Sequence, residues 1–310
     1  MTRILVVGAG ATGGYFGGRL VEAGRDVTFL VRPARYDLLS HRGLLITEAG
    51  HTRTVDAPLI TADEVKPVYD AVVLAVKAGA LEAAVSDIEG IVGPETPVIP
   101  FLNGMAHMDL LNARFGRESV LGGAVRVIAK IDRNGDVIQL APGASMVIGE
   151  QPAAGGTSPG TDRLRRLAAT FDGAGFEFST SDDIEGVMWQ KWVFISTVNA
   201  ITCLLRATIG EVVAVPGGAR LATDVLAEAA AIAAAAGHPV PDAVLDATRA
   251  TITQEGSAFV PSMYRDLSEG LPVEVEHVLG DLVDRAVRLG VPTPLLGVAT
   301  TNLRIYQNRL

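Results

Sequence analysis

A run of polar side chains lies on one face of an otherwise apolar segment between residues 189 and 206. On a helix turning by about 100° per residue, one narrow sector contains Lys191, Asn199, Thr202 and Arg206. Such a polar stripe on a buried helix must face water, a partner or a ligand cavity. A lysine in a partly dry cavity has a lowered pKa, which suits it to donate a proton near neutral pH. We therefore expect Lys191 to be a general acid, and an exposed surface stripe is the alternative.

A glycine-rich loop near the start of the chain predicts a phosphate-binding site. It has the GxGxxG pattern and consists of Gly8, Ala9, Gly10, Ala11, Thr12 and Gly13. The loop follows a predicted strand and opens a predicted helix, which is the context that gives this pattern its value. Gly8 permits a tight turn, Gly10 lets the backbone approach a pyrophosphate, and Gly13 lets helix and strand pack closely. The helix N-terminus then offers N–H groups and partial positive charge to the phosphates.

The residue that ends the second predicted strand selects among dinucleotides. In NAD sites a carboxylate at this place accepts hydrogen bonds from the ribose 2′-hydroxyl, but here the residue is Arg32. A guanidinium can pair with a 2′-phosphate, and no carboxylate is present to repel it. The sequence therefore predicts NADPH rather than NADH. Arg35 either assists or is a solvated surface charge.

Two further polar residues follow the next apolar strands. Lys77 comes after residues 71–76, and Asn103 comes after residues 97–101. Because ligands of open α/β sheets bind outside the carboxyl ends of the strands, both residues are expected near the nicotinamide. A surface lysine and a plain Asn-Gly turn are the alternatives.

The order of elements predicts an α/β protein with two domains. Residues 1–181 alternate short apolar strands with helices, which is typical of an N-terminal Rossmann domain with a doubly wound parallel sheet that binds NADP. Strands over 120–130, 137–140 and 146–148 are expected as antiparallel additions at the sheet edge, and residues 151–160 as a linker. A helix over 161–173 and a strand over 176–179 complete this domain.

The second domain, residues 182–310, is predicted to be all-helical and to carry substrate-binding and catalytic groups. After the helix with Lys191, helices are expected over about 219–236, 241–254, 272–289 and 293–307. Pro272 suits the first turn of its helix. Glu274 and Glu276 then also lie in that first turn, where the helix dipole favours carboxylates without any catalytic role.

Composition narrows the classes of partner. The formal net charge is −9 without clusters of Lys and Arg, which argues against nucleic acid and anionic membranes. The single cysteine, Cys203, excludes an intrachain disulfide and is expected to be a buried structural thiol. No signal peptide or membrane span is recognisable, so we expect a cytoplasmic protein. No metal ion is expected, and the apolar faces of the later helices leave a homodimer open.

Taken together, these motifs resemble the ketopantoate reductase (2-dehydropantoate 2-reductase) family over nearly the whole chain. The pieces that carry the resemblance are the glycine loop, Arg32, Ala75-Val76-Lys77, Asn103-Gly104, Trp189-Gln190-Lys191, and Pro261-Ser262-Met263 followed by Glu274. Their order and spacing are more specific than any one of them.

The resemblance implies NADPH-dependent reduction of ketopantoate to pantoate, a step toward pantothenate and coenzyme A. It implies that Lys191 protonates the carbonyl oxygen as hydride arrives, and that Glu274 binds substrate and helps to hold the lysine. Asn103, Asn199 and Ser262 would position the substrate. Lys77 would lie by the cofactor ribose and the substrate.

The chain departs from the family pattern at two positions. Ile195 and Ile209 stand where members of the family usually have asparagines that face the substrate. Losing two hydrogen-bonding amides disfavours a polyhydroxylated acid, because a site built to bind hydroxyls discriminates strongly. A reductase of a different, more apolar 2-keto acid is therefore the first alternative. A dehydrogenase for another hydroxy acid or an opine and a non-catalytic NADP-sensing protein are the others.

Overall fold

A computed structural model of the chain describes residues 1–152 and 162–310. The chain forms two compact units. The first contains Met1–Leu102 and His107–Ile184, and the second contains Asn103–Ala106 and Glu185–Leu310. The units therefore meet in the sequence at Ile184, close to the boundary expected at residue 181. The short segment after Leu102 belongs with the second unit, which the sequence did not indicate. Most of the expected linker over 151–160 lies outside the described residues.

The strands of the first unit are β1 (Arg3–Val7), β2 (Asp26–Leu30), β3 (Leu44–Glu48), β4 (His51–Val55), β5 (Leu59–Ile60), β6 (Ala71–Leu74), β7 (Val98–Pro100), β8 (Leu121–Ile131), β9 (Val137–Glu150) and β10 (Glu177–Thr180). Its α-helices are α1 (Ala11–Glu22), α2 (Pro33–Arg42), α3 (Leu81–Ile88), α4 (Ala106–Phe115) and α5 (Asp162–Phe171). The alternation of apolar strands with helices follows the sequence prediction for this half of the chain.

Five strands form a parallel sheet, in the order β5-β2-β1-β6-β7. The sequence predicted all of them except the two-residue strand β5. The register places Val7 opposite both Leu30 and Leu74, and Leu74 opposite Pro100. Strands β1, β2, β6 and β7 therefore end in line, at one edge of the sheet. The chain leaves β1 toward β2 on one side and later returns to β6 on the other, which is the switch point where open α/β sheets bind ligands. The Rossmann fold class is confirmed.

A second, mixed sheet corrects the expectation for strands after residue 120. It has the order β10-β9-β3-β4, and β8 pairs with β9 as a long antiparallel ribbon. Residues 137–140 and 146–148 are thus parts of one strand, and they extend this separate sheet rather than the edge of the parallel one. The hairpin of β3 and β4 was not predicted. Its turn holds Ala49 and Gly50, both with positive φ (48° and 81°), which is the geometry of tight hairpin turns.

Helix α1 fixes the start of the first unit against its sheets. Tyr15, Phe16 and Leu20 are fully buried. The ring of Phe16 makes edge contacts with Phe101 at 5.6 Å and with Phe176 at 5.0 Å between centroids. Buried aromatic pairs of this kind contribute about 0.5–1.5 kcal/mol each beyond their burial. The N-terminus of α1 is thereby held in place beside the end of β1.

The second unit is helical throughout its described residues. Its helices are α6 (Ile184–Leu205), α7 (Ile209–Val213), α8 (Gly218–Ala235), α9 (Asp242–Ile252), α10 (Ser262–Ser268), α11 (Asp281–Leu289) and α12 (Pro294–Gln307). Helices α11 and α12 both pack on α8. The short helices α7 and α10 were not predicted. In the described residues, no helix is long and apolar enough to span a membrane.

The helix expected over 272–289 has a different beginning. Pro272 and Glu274 precede it, because helical structure begins at Val275. Residues Glu276–Gly280 form a π-helical turn, called the π turn below, which leads into α11. Glu274 therefore lies immediately before the first turn of the helix rather than in it, and its carbonyl oxygen accepts a hydrogen bond from the N–H of Val278. The exposed Glu276 pairs instead with Arg304, whose guanidinium donates to both carboxylate oxygens at 2.8 and 2.6 Å.

Candidate active site

The glycine loop, residues 8–13, has the geometry that its sequence predicted. Gly8 has φ = +98°, and a Cβ at this residue would lie 2.8 Å from the carbonyl oxygen of Ala75. A Cβ at Gly13 would lie 2.0 Å from the carbonyl oxygen of Gly8. Only glycine permits these backbone approaches. By contrast, a Cβ at Gly10 would meet nothing within 4 Å, so open space lies beside the backbone at that residue.

The start of α1 keeps its backbone donors available. Gly10 is the N-cap residue of α1, and no side chain caps this end of the helix. Ala11 and Thr12 in the first turn are partly exposed. Uncapped N–H groups beside open space form the cradle in which helix N-termini bind phosphates. The loop therefore fits the pyrophosphate of a dinucleotide.

Arg35 has a structural role that the sequence left open. Its Nε and Nη2 both donate to the carbonyl oxygen of Ala9, at 3.2 and 2.8 Å, and its Nη1 donates to the carbonyl oxygen of Gly135 at 2.6 Å. The guanidinium thus ties the glycine loop to the turn between β8 and β9. Partial burial of this group lowers its pKa. With its donors directed at two carbonyls, Arg35 supports the loop and is poorly placed to bind a 2′-phosphate.

Arg32 differs from Arg35 in its surroundings. It follows β2, stands at the N-cap of α2, and is exposed. Its position at the carboxyl edge of the sheet matches the sequence expectation. Lys77 is likewise exposed, at the N-cap of a short 3₁₀ turn that follows β6. Asn103 follows β7 and is partly exposed. All of these residues lie just beyond strand ends, as their order in the sequence predicted.

The amine of Lys191 is the most perturbed lysine of the described chain. Burial of the amine lowers its pKa from an ordinary 10.5 to about 8, and the nearby Glu274 carboxylate partly offsets this effect. The residue as a whole is partly exposed to solvent. Such an amine is protonated at neutral pH and readily gives up its proton, as a general acid requires.

Asn199 lies two turns along α6 from Lys191 and holds an unsatisfied acceptor. The residue is only 4% exposed. Its Nδ2 donates to the carbonyl oxygen of Ile195 at 2.7 Å, whereas its buried Oδ1 accepts no hydrogen bond from the described residues. Buried polar atoms are nearly always paired. This orphaned acceptor, on the same helix as a perturbed lysine, is therefore a candidate to accept a hydrogen bond from a ligand.

The remainder of the polar stripe has structural roles. Thr202 is fully buried and donates to the carbonyl oxygen of Val198 within its own helix. Arg206 lies beyond the end of α6 with φ = +54° and donates to the carbonyl oxygen of Cys203. Within the stripe, only Lys191 and Asn199 therefore remain candidates for a functional role.

The two isoleucines that depart from the family pattern are placed differently. Ile195 lies one turn after Lys191 on α6 and is partly exposed. Ile209 is 0% exposed at the first position of α7. Only Ile195 is placed to meet a ligand near the amine. Ser262, the first residue of α10, is exposed.

Cys203 is excluded from this chemistry. The thiol is buried, and burial raises its pKa to about 12, so it carries almost no thiolate at neutral pH. Within residues 1–152 and 162–310 there is also no group of three or more His, Cys, Asp or Glu side chains that could hold a metal ion.

The titration of Lys191 can be measured directly, because the chain has only four lysines. With ¹³C-labelled lysine, NMR of the protein without ligands should give one amine with a pKa near 8. Glu274→Gln should lower this value further, because the carboxylate stabilises the charged form. Lys191→Arg assigns the resonance, because the signal near this pKa should disappear in that variant. Four normal lysine pKa values would contradict this description of the site.

Comparison with known proteins identifies the family. Residues 4–153 match the family model described as ketopantoate reductase PanE/ApbA, and residues 183–307 match its C-terminal model. The chain is 34% identical to the uncharacterized oxidoreductase YkpB of Bacillus subtilis, over 98% of this chain and 99% of the relative. It is 27% identical to the 2-dehydropantoate 2-reductase of Mesorhizobium japonicum, over 97% of each chain.

A solved structure supports the fold in the same way. D-mandelate dehydrogenase, in a ternary structure with NADH and anilino(oxo)acetate, superposes with a TM-score of 0.88 at 22% identity, over 99% of each chain. At this identity the likeness shows the fold alone. The resemblance found in the sequence is thus confirmed by the family models and by both relatives: the chain is an oxidoreductase that belongs to the ketopantoate reductase PanE/ApbA family.

Proposed function

We propose that this protein reduces a 2-keto acid to the 2-hydroxy acid with NADPH, and that ketopantoate is its substrate and pantoate its product. The observation that carries the proposal is the Lys191 amine, which burial brings to a pKa of about 8 beside Glu274. A reductase of this kind needs one proton at the carbonyl oxygen, and an amine with this pKa supplies it near neutral pH. The pathway that this reaction serves would be the synthesis of pantothenate and coenzyme A.

The proposed cofactor contacts come from the glycine loop and the residues beyond the strand ends. The backbone of residues 8–13 and the start of α1 would bind the pyrophosphate. The exposed Arg32 would pair with the 2′-phosphate, which NADH lacks. Lys77 and Asn103 would lie toward the nicotinamide. When bound, NADPH supplies the hydride that reduces the keto carbon.

The protein supplies the proton in the proposed reaction. The protonated Nζ of Lys191 donates to the carbonyl oxygen as the carbon is reduced, so that the C=O bond becomes CH–OH and NADP⁺ remains. Lys191 is then neutral and regains its proton from water. Glu274 stabilises the charged amine before this step, which keeps Lys191 protonated at neutral pH despite the burial of its amine.

The orphaned Oδ1 of Asn199 favours a substrate with a hydroxyl group. An amide oxygen only accepts, so its partner must carry an O–H or N–H. The terminal hydroxyl of ketopantoate can donate to it, whereas an unsubstituted apolar keto acid cannot. Asn103 and Ser262 are the remaining polar groups proposed to position the substrate. Asn199 therefore favours ketopantoate over simpler keto acids.

A reductase of a more apolar 2-keto acid is the second candidate, and Ile195 favours it. Its partly exposed side chain lies one helical turn from Lys191 and presents an apolar surface where an amide is usual in the family. The fold also serves D-mandelate dehydrogenase, so an aryl keto acid belongs in any substrate panel. A non-catalytic NADP sensor is the third candidate, but it would not need an amine with a lowered pKa.

The first test is NADPH oxidation with ketopantoate beside a panel of aliphatic and aryl 2-keto acids. We expect turnover of ketopantoate, and Lys191→Ala should lower kcat about 100- to 10,000-fold by removing the general acid. Rates in the wild type should fall as the pH rises through about 8, because only the protonated amine can donate. Turnover of apolar keto acids alone would favour the second candidate. Tight NADPH binding without any turnover would favour the sensor.

Two neighbouring arginines give a matched test of cofactor choice. Arg32→Ala should raise the Kd for NADPH about 10- to 100-fold, the value of a charge-assisted phosphate contact, and leave the Kd for NADH nearly unchanged. Arg35→Met should weaken the binding of both cofactors by similar factors, because it removes the donors that hold the glycine loop at the carbonyl oxygen of Ala9. Calorimetric titration without substrate gives all of these constants. Equal effects of Arg32→Ala on both cofactors would refute its pairing with the 2′-phosphate.

Substrate choice is expected to depend on Ile195 more than on Ile209. Ile195→Asn should raise kcat/KM for ketopantoate relative to an apolar keto acid by about tenfold, the effect of one good hydrogen bond. Ile209→Asn should instead mainly lower the melting temperature, because it places an amide in the fully buried site of Ile209. A larger change of preference in Ile209→Asn would reverse this assignment.

A further inference from the structure

The π turn, Glu276–Gly280, is joined to helix α6 by two side-chain donors. The indole Nε1 of Trp192 and the hydroxyl Oγ of Ser196 both donate to the carbonyl oxygen of Val278, at 2.9 and 3.1 Å. Trp192 and Ser196 are one turn apart on α6 and fully buried, and Trp192 is the residue next to Lys191. One backbone carbonyl in the middle of the π turn therefore receives both donors from a single face of α6.

The same turn is bonded to the backbone of Glu274. The backbone N–H of Val278 donates to the carbonyl oxygen of Glu274 at 3.1 Å. The contacts thus form a closed circuit. It runs from Trp192 and Ser196 to Val278, from Val278 to Glu274, and from the Glu274 carboxylate back to Lys191 on α6. A π turn breaks the regular helical ladder and is commonly found at functional sites.

Gly104 brings a third group of the site to this turn. It has φ = +81°, and a Cβ at this residue would lie 2.0 Å from the carbonyl oxygen of His277. The backbone beside Asn103 can approach the π turn this closely only because residue 104 is glycine. Three of the groups proposed to act on the substrate therefore connect to one turn of helix: Glu274 through its own backbone, and Lys191 and Asn103 through the residues that follow them.

We propose that Trp192 and Ser196 are positioning residues: by holding the carbonyl of Val278 they fix the π turn, and the π turn holds Glu274 against Lys191. The inference deepens the proposed function and rests on it for its catalytic meaning. The two residues are not proposed to touch substrate or cofactor. They affect the reaction by setting the distance between the Glu274 carboxylate and the Lys191 amine.

The charges around the π turn leave Glu274 as the carboxylate that acts on Lys191. Glu276 is paired with Arg304, and Asp281 with Arg285. Helix α6 itself carries a single carboxylate, that of Glu185, whose Oε2 lies 4.0 Å from Nε2 of His238. His277 lies in the turn itself. Together with the stronger effect of Arg304, it lowers the pKa of the Glu276 carboxyl. If the turn loosens, the Glu274 carboxylate moves away from the amine, and the pKa of Lys191 must fall because burial then acts with less opposition.

The test compares two adjacent hydroxyls on α6. Ser196→Ala and Trp192→Phe each remove one donor to Val278. Thr197→Val is the matched control, because Thr197 is equally buried but donates to the carbonyl oxygen of Val193 within its own helix, at 2.8 Å. Lysine ¹³C NMR titration of each variant, without cofactor or substrate, reports the pKa of Lys191. Ser196→Thr keeps the hydroxyl and should retain the wild-type pKa of Lys191.

We expect Ser196→Ala and Trp192→Phe each to lower the pKa of Lys191 by about half a pH unit, a part of the effect of an adjacent opposite charge. The basic limb of the kcat/KM profile should move down by the same amount, while Thr197→Val leaves both unchanged even if it lowers the melting temperature. An unchanged or raised pKa of Lys191 in both Ser196→Ala and Trp192→Phe would overturn the proposal. The NMR titration needs no turnover. Inactivity toward every keto acid would therefore refute the proposed function, while the measured pKa of Lys191 would still test the positioning role.

Discussion

The enclosure of one ammonium group is the constraint on which the site depends. Lowering the pKa of Lys191 from 10.5 to about 8 corresponds to about 3 kcal/mol of unfavourable free energy for the charged form in the folded protein. This cost is fully present below pH 8 and disappears as the pH rises toward 10.5, where the amine is neutral in the unfolded chain as well. The rest of the fold must supply that free energy, and Glu274 limits the cost without abolishing it.

The glycine loop obeys a different constraint, which is steric. Gly8 and Gly13 stand where any side chain would collide with backbone oxygen, so the close packing of α1 on β1 fixes both residues as glycine. Gly10 has no such restriction from the protein, and its small size is explained by the space that it leaves for a ligand. Arg35 then holds the loop from behind through Ala9. Backbone shape, rather than side-chain chemistry, determines the residues of the glycine loop.

Residue patterns in the sequence were sufficient for the parallel sheet, its carboxyl edge and the helix with Lys191. Apolar runs bounded by glycine and polar residues mark those elements locally. The second sheet was assigned wrongly, because pairing between β9 and β3 joins segments far apart in sequence. The π turn could not be predicted at all. It is a shift in hydrogen-bond register within a helix, and the donors that accompany it, Trp192 and Ser196, come from another helix. Their apolar and small side chains gave no signal beyond ordinary core packing.

Two faces of helix α6 have different surroundings, and this difference bears on how substrate preference can vary within the family. The face with Trp192 and Ser196 is buried and bonded to the π turn, so a change there disturbs the packing of α6 against that turn. Ile195 is partly exposed, and its side chain has no polar group to take part in that circuit. In the proposed reaction, exchange of an amide for an apolar side chain at this position alters which keto acid is bound while Lys191 and Glu274 keep their arrangement. Substrate choice can then change by single substitutions on one face of α6, because the proposed acid is held in place from the other.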